Sequence, residues 1–213
     1  QTLLEIYKAA KEMPQSMKMM IPMMFFSWYA MFIYWQFITL NLSKTFYQTT
    51  DAASVGFRSS ELLTGQIGAF YNFIAFLSAF GMALLAKKVS PKRLHLVCLI
   101  LAGIALVSIP FLEHQWQTFI PMIAFGFSWA SMMGNPYIIL SNSIPPEKAG
   151  VYMGIFNLFI VIPMLIETFT FPFVYKNLLN KDPQMAIILA GVLLFIAGLC
   201  VSLIPYKTKT QAA

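Results

Sequence analysis

Charge is scarce in this chain: Asp, Glu, Lys and Arg together make up 10% of 213 residues, while 59% are hydrophobic. So few charges cannot clothe the surface of a soluble domain of this size. Cysteine is scarcer still. Cys98 and Cys200 both lie inside apolar runs, so neither a disulfide framework nor a redox compartment can be read from them. The two histidines, His95 and His114, stand alone. There is no His-Glu-x-x-His helix, no Gly-x-Ser-x-Gly elbow, no phosphate-binding Walker loop and no Cys-x-x-Cys pair. These gaps leave an intramembrane hydrolase or an ATP-driven pump core without chemistry. No cofactor and no metal is expected.

What the chain does have is long apolar runs. A bilayer core of ~30 Å needs about 20 apolar residues in a helix. Six such spans are expected, at 19–40, 62–85, 93–112, 118–141, 151–175 and 184–205. The fold class is therefore all-α, a polytopic membrane protein. Residues 1–18 form an amphipathic stretch, with Leu3, Leu4, Ile6 and Tyr7 set against Lys8, Lys11 and Glu12, ended by Pro14 and lying along the membrane surface. The longest loop is expected over 41–61, a tight polar turn over Glu113–Trp116, and a basic tail at 206–213.

The cations sit in loops beside apolar spans, where they meet lipid headgroups rather than nucleic acid. One side collects ten: Lys8, Lys11, Lys18, Lys87, Lys88, Lys92, Arg93, Lys148, Lys207 and Lys209. The other collects four: Lys44, Arg58, Lys176 and Lys181. The richer side is expected in the cytoplasm, with both termini, in a cell (inner) membrane. The chain opens on Gln1 with no signal peptide and reads as a piece cut from a longer one.

Spans one to three echo spans four to six. Phe26-Ser27-Trp28-Tyr29-Ala30 returns as Phe127-Ser128-Trp129-Ala130, and Gly68-Ala69-Phe70-Tyr71-Asn72 returns as Gly154-Ile155-Phe156-Asn157. Three helices separate the copies, so the second is inverted. A 3+3 inverted repeat is the construction of many secondary transporters, which bind solute near the bilayer midplane.

At 1.5 Å per residue, Trp28 lies ~14 Å, Trp129 ~16 Å and Asn72 ~15 Å into their spans. An indole can stack on a sugar's apolar face, and an amide can bond its hydroxyls. The alternatives are packing for Trp28 and Trp129, and helix bridging for Asn72 and Asn157. Ser128, Ser131 and Asn135 form one polar stripe, facing either a water-filled path or a neighbouring helix. Gln36 is placed as a gate or a headgroup contact. Glu167, an ionisable residue inside a span, is the candidate for gating or a proton-linked step. Its depth of ~24 Å reads better as an outer-vestibule acid paired with Lys176 or a loop cation. Pro136 and Pro163 mark kinks in helices suited to move.

Several segments resemble one family. Ser128-Trp129-Ala130-Ser131, Pro136-Tyr137, Leu140-Ser141 and the run from Gly150 to Pro163 are similar to the tenth and eleventh helices of sucrose/maltose-type sugar:proton symporters. These belong to the major facilitator superfamily, near its glycoside–pentoside–hexuronide group. Lys87–Arg93 resembles the basic loop between the eighth and ninth helices, and Tyr71-Asn72 a pair in the eighth. Met164 departs from the pattern, where family members often carry Gln.

The resemblance implies the C-terminal six-helix half of a twelve-helix transporter. Sugar and protons would be its small partners, membrane lipid its surroundings, and a missing N-terminal half its other partner. Carriage of a drug or peptide, or a six-span scaffold or receptor, are the alternatives.

Overall fold

The computed structural model describes residues 2–85 and 88–205, with side chains for 7–82, 84–85 and 88–205. Lys87 and the basic tail 206–213 lie outside the described residues, as do the side chains of Leu3, Leu4 and Ile6. The described chain is helical: α1 (Thr2–Lys11), α2 (Gln15–Lys18), α3 (Ile21–Tyr47), α4 (Val55–Leu85), α5 (Pro91–Ser108), α6 (Phe119–Ser141), α7 (Ala149–Asn177) and α8 (Pro183–Ser202). α3 to α8 are the six expected spans.

Two boundaries differ from the sequence expectation. α3 runs to Tyr47 and α4 starts at Val55, so most of the loop expected over 41–61 is helix. The polar residues there find partners that hold the turns. Lys44 Nζ lies 2.7 Å from Asp182 Oδ2, and Ser43 Oγ donates to the Thr49 carbonyl at 2.8 Å. Gln48, in the left-handed region at φ 52°, closes α3. On the next helix, Ser54 Oγ accepts from the Phe57 N–H at 3.1 Å and caps the start of α4.

α1 ends before Pro14, as its sequence predicts, and it is tied to the start of α7. Lys148 Nζ sits 2.8 Å from Glu12 Oε2, and Tyr152 Oη donates to the Glu12 carbonyl at 3.3 Å.

Five segments are long and apolar enough to cross a membrane: Gln15–Tyr47, Val55–Met82, Pro91–Phe111, Pro146–Asn177 and Pro183–Ser202. α6 is not among them. Its 23 residues, ~35 Å of helix, include Pro121, Ser128, Ser131, Asn135 and Pro136, which lower its hydropathy. Both α6 and α7 run unbroken through their internal prolines.

The helix pairing carries the repeat. The main contacts are α3 on α8, α5 on α6, α5 on α8, α4 on α6, α3 on α7 and α3 on α4. Exchanging α3 with α6, α4 with α7 and α5 with α8 turns the α3–α8 contact into α6–α5, and α4–α6 into α7–α3. It maps α5–α8 onto itself. Only α3–α4 lacks a counterpart among the main contacts. The third helix of each triplet also starts alike, on a capping residue followed by proline: Ser90-Pro91 and Asp182-Pro183. Alternating direction is visible at both ends of α8. Lys44 meets Asp182 at its start, and Lys92 donates to the Ser202 carbonyl at its finish.

α5 and α8 cross almost backbone to backbone. A Cβ placed on Gly103 would lie 2.8 Å from the Gly191 carbonyl oxygen, and one on Gly191 would lie 2.8 Å from the Gly103 oxygen. Ala186, Ala190, Ala197 and Gly198 continue the small buried stripe of α8. At the α4–α6 contact, Gly126 lies so close that a Cβ would sit 2.7 Å from the Tyr71 carbonyl.

Two outcomes follow. Gly191→Ala should destabilise the fold by about 1–3 kcal/mol, lowering the melting temperature in detergent. Gly154→Ala, with open space around it, should leave that temperature unchanged or raise it. A Gly191→Ala protein melting like the parent would refute the close crossing. The second outcome concerns acid. The Lys148 ammonium bonded to Glu12 holds that carboxyl below the usual carboxylate range. Its folded value being depressed, the α1–α7 tie is complete above the unfolded value and is lost as pH falls through the folded one. Spin labels on α1 and α7 should therefore keep a fixed separation at neutral pH and spread apart only in strong acid.

Candidate functional site

The two echoed tryptophans meet. Trp28 of α3 and Trp129 of α6 have ring centroids 6.2 Å apart, edge to face. Trp35 completes a triangle, 5.8 Å from Trp129 and 6.4 Å from Trp28. Tyr71 of α4 closes on Trp129 at 6.5 Å, and Phe125 and Tyr34 back it at 5.1 and 6.4 Å. The cluster is graded in depth: Trp28 is 6% exposed, Trp129 half-buried and Trp35 37% exposed. Trp35 and Trp129 each fall within one residue of the middle of their helices. The sequence reading passed over Trp35. Its signal was available, because it follows Trp28 by seven residues and so shares a helical face with it.

Gln36, next to Trp35, is exposed, and it reaches inward. Its Nε2 donates to Glu167 Oε2 at 2.8 Å. Glu167 is completely buried between α3 and α7. This corrects the expected pairing with Lys176 or a loop cation, since among the described residues no ion pair includes Glu167. α7 continues ten residues beyond Glu167 to Asn177, which sets the carboxyl ~15 Å inside the helix end. Its partner is an amide, and Lys44 is taken by Asp182.

The stripe on α6 turns into the protein. Ser128 is buried with its hydroxyl against the Cys98 carbonyl of α5 and the Ala124 carbonyl. Asn135 Nδ2 donates to Ser131 Oγ at 2.8 Å, and that oxygen lies 3.0 Å from His95 Nδ1. His95 Nε2 lies 3.3 Å from Met23 Sδ of α3. One polar chain therefore joins α3, α5 and α6. Of the two readings left open for the stripe, a neighbouring helix is what it faces. His95 looked isolated in sequence because its partner is 36 residues away.

Asn72 and Asn157 stand apart on α4 and α7. Asn72 is exposed and its Nδ2 donates to the Gly68 carbonyl of its own helix at 2.8 Å. Asn157, also exposed, accepts from Tyr137 Oη at 3.0 Å. An amide facing hydrocarbon costs several kcal/mol, of order 2–7. Exposed Gln36, Asn72 and Asn157 on membrane-crossing helices therefore demand water or protein before them. The buried polar residues Ser128, Ser131 and His95 link helices, while these three amide residues stay exposed. Among the described residues no group of His, Cys, Asp and Glu is placed to hold a metal.

Comparison with known proteins gives two positive findings. The family profile described as Major Facilitator Superfamily matches residues 2–168. The general alpha-glucoside permease of Schizosaccharomyces pombe (strain 972 / ATCC 24843) is 27% identical over 137 residues. That alignment covers 60% of this chain and 25% of the permease, so the chain matches about a quarter of its relative's length. No solved structure matches.

The His95 chain is open to a direct test. His95→Ala should destabilise by about 1–3 kcal/mol by leaving the Ser131 hydroxyl short of a partner, and His95→Ala with Ser131→Ala should cost less than the two separately. Additive losses in thermal unfolding would show that the residues do not interact.

Proposed function

The chain belongs to the major facilitator superfamily, and we propose from this that it is the C-terminal six-helix half of a secondary transporter, one that moves a disaccharide such as maltose or sucrose with protons by alternating access. It is an integral, multi-pass membrane protein, and its family and its permease relative are transporters rather than enzymes. The observation that carries the sugar reading is the indole triangle of Trp28, Trp35 and Trp129, open to the exposed face at mid-helix. A flat, apolar ring surface suits the C–H face of a pyranose. Gln36, next to Trp35 in sequence, offers an amide to its hydroxyls, and exposed Asn72 and Asn157 offer others from α4 and α7. The match to an alpha-glucoside permease supports the same solute class.

In this reading the partner is an N-terminal six-helix half, and the two halves rock about a central site. The helix crossings of α3 and α6 hold the tryptophans as a floor, while α4 and α7 flank them. Ser128 and Asn135 act behind that floor, fixing α6 to α5. Both termini lie in the cytoplasm of a cell membrane, on the side richer in Lys and Arg.

The full-length protein in proteoliposomes is expected to accumulate maltose or sucrose when an inward proton gradient is imposed. Trp35→Ala should raise KM about tenfold, equivalent to ~1.4 kcal/mol, and Asn72→Ala should raise it as well. Uptake indifferent to the gradient removes the proton from the reading. An unchanged KM in Trp35→Ala removes the stacking floor.

A further inference from the structure

Glu167 is an anomaly. Its exposure is 0%, Oε2 accepts a single bond from Gln36, and Oε1 has no partner. A buried carboxylate ordinarily has a cation or several donors. This one has one donor, and the donor sits on a side chain that opens onto the exposed face.

The surroundings offer no substitute. Of the helices packed against α7, α3 presents Tyr29, Phe37 and Gln36 on this stretch. Tyr29 is the titratable group there, and its hydroxyl is engaged with Thr170 at 2.9 Å. On α7 itself, Tyr175 Oη donates to the Lys181 carbonyl at 2.7 Å. The other neighbour, α1, contributes Lys8 and Glu12 at the opposite end of α7, where Glu12 pairs with Lys148. Among the described residues the ion pairs are Lys44–Asp182 and Lys148–Glu12, and neither includes Glu167. Phe37, Phe171 and Tyr175 wall the contact, with ring centroids 5.1 and 4.6 Å apart.

We propose that Gln36 is shared between the solute and Glu167, so that binding a polyhydroxyl solute and protonating Glu167 are a single linked event. A solute hydroxyl that engages the Gln36 amide draws it off the carboxyl. Glu167 then keeps no donor at either oxygen, and the displaced side chain opens it to the wet face. One proton moves from water to a carboxyl oxygen, the charge there goes from −1 to 0, and no other group changes. In the reverse direction, a proton on Glu167 removes the carboxylate's claim on the Nε2 donor and frees Gln36 for the solute. The coupling is reciprocal by linkage. Gln36 is the binding residue and Glu167 acts through it as a positioning residue. The inference rests on the sugar-transport reading above and names the group that would tie solute to proton.

The test is calorimetric titration of maltose and of sucrose into the full-length detergent-solubilised protein, in buffers of different ionisation enthalpy from pH 5.5 to 8.5. The expected result is uptake of close to one proton per sugar bound, with affinity weakening by as much as ~tenfold per pH unit as pH rises. Glu167→Gln should bind sugar with an affinity that ignores pH and should take up no proton. Glu167→Asp should restore part of the uptake, which a merely structural role would not predict. Gln36→Ala should weaken binding and abolish the uptake together. Sugar binding without proton uptake in the parent protein, or uptake persisting in Glu167→Gln, overturns this inference and leaves the sugar reading standing. Failure of a folded parent protein to bind either disaccharide overturns both.

Discussion

The contact of Gly103 with Gly191 is the constraint on which the arrangement turns. Lipid tails are as apolar as leucine, so helices in a bilayer gain little by hiding apolar side chains from their surroundings. Close approach of backbones and bonds between polar groups must hold them instead. At the α5–α8 crossing each glycine lies against the other's carbonyl. That pair is also the one contact that maps onto itself when the triplets are exchanged. With α5 and α8 side by side, α3 packs on α8 and α6 on α5. The indoles of α3 and α6 then converge.

Two groups of polar side chains within the spans contrast in their burial. Ser128, Ser131, Asn135 and His95 spend their bonding capacity between helices and are buried. Gln36, Asn72 and Asn157 keep exposed groups in segments that cross hydrocarbon. The first population makes α6 a fixed part of the scaffold. The second gives α3, α4 and α7 groups that lipid cannot cover cheaply. Glu167 belongs to neither, being buried yet half-bonded through an exposed residue.

The helices were legible because hydropathy reports them directly, and the repeat gave Trp28 and Trp129 similar depths, though their contact is seen only in the structure. Ends were less legible. Lys44 sits in a polar stretch that reads as loop until Asp182, far along the chain, is seen to hold it in helix. The direction of the Ser128–Ser131–Asn135 stripe was illegible for a related reason. Periodicity says that three residues share a face but not what that face meets, and the answer, His95, lies on another helix. The partner of Glu167 was misread, as a cation instead of an amide, because Gln36 is 131 residues away along the chain. Trp35 alone was readable and passed over.

The polarity that α6 gains from its serines, Asn135 and prolines has a consequence for biogenesis. α6 carries no Asp, Glu, Lys or Arg, yet its polar side chains need partners once they leave water. α5, which precedes it across a short turn, carries the acceptor of Ser128 and the imidazole that meets Ser131. α5 and α6 therefore satisfy each other's polar groups as the two arms of a hairpin. Loss of those bonds would leave α6 with unpaired polar groups in lipid from the moment the hairpin forms.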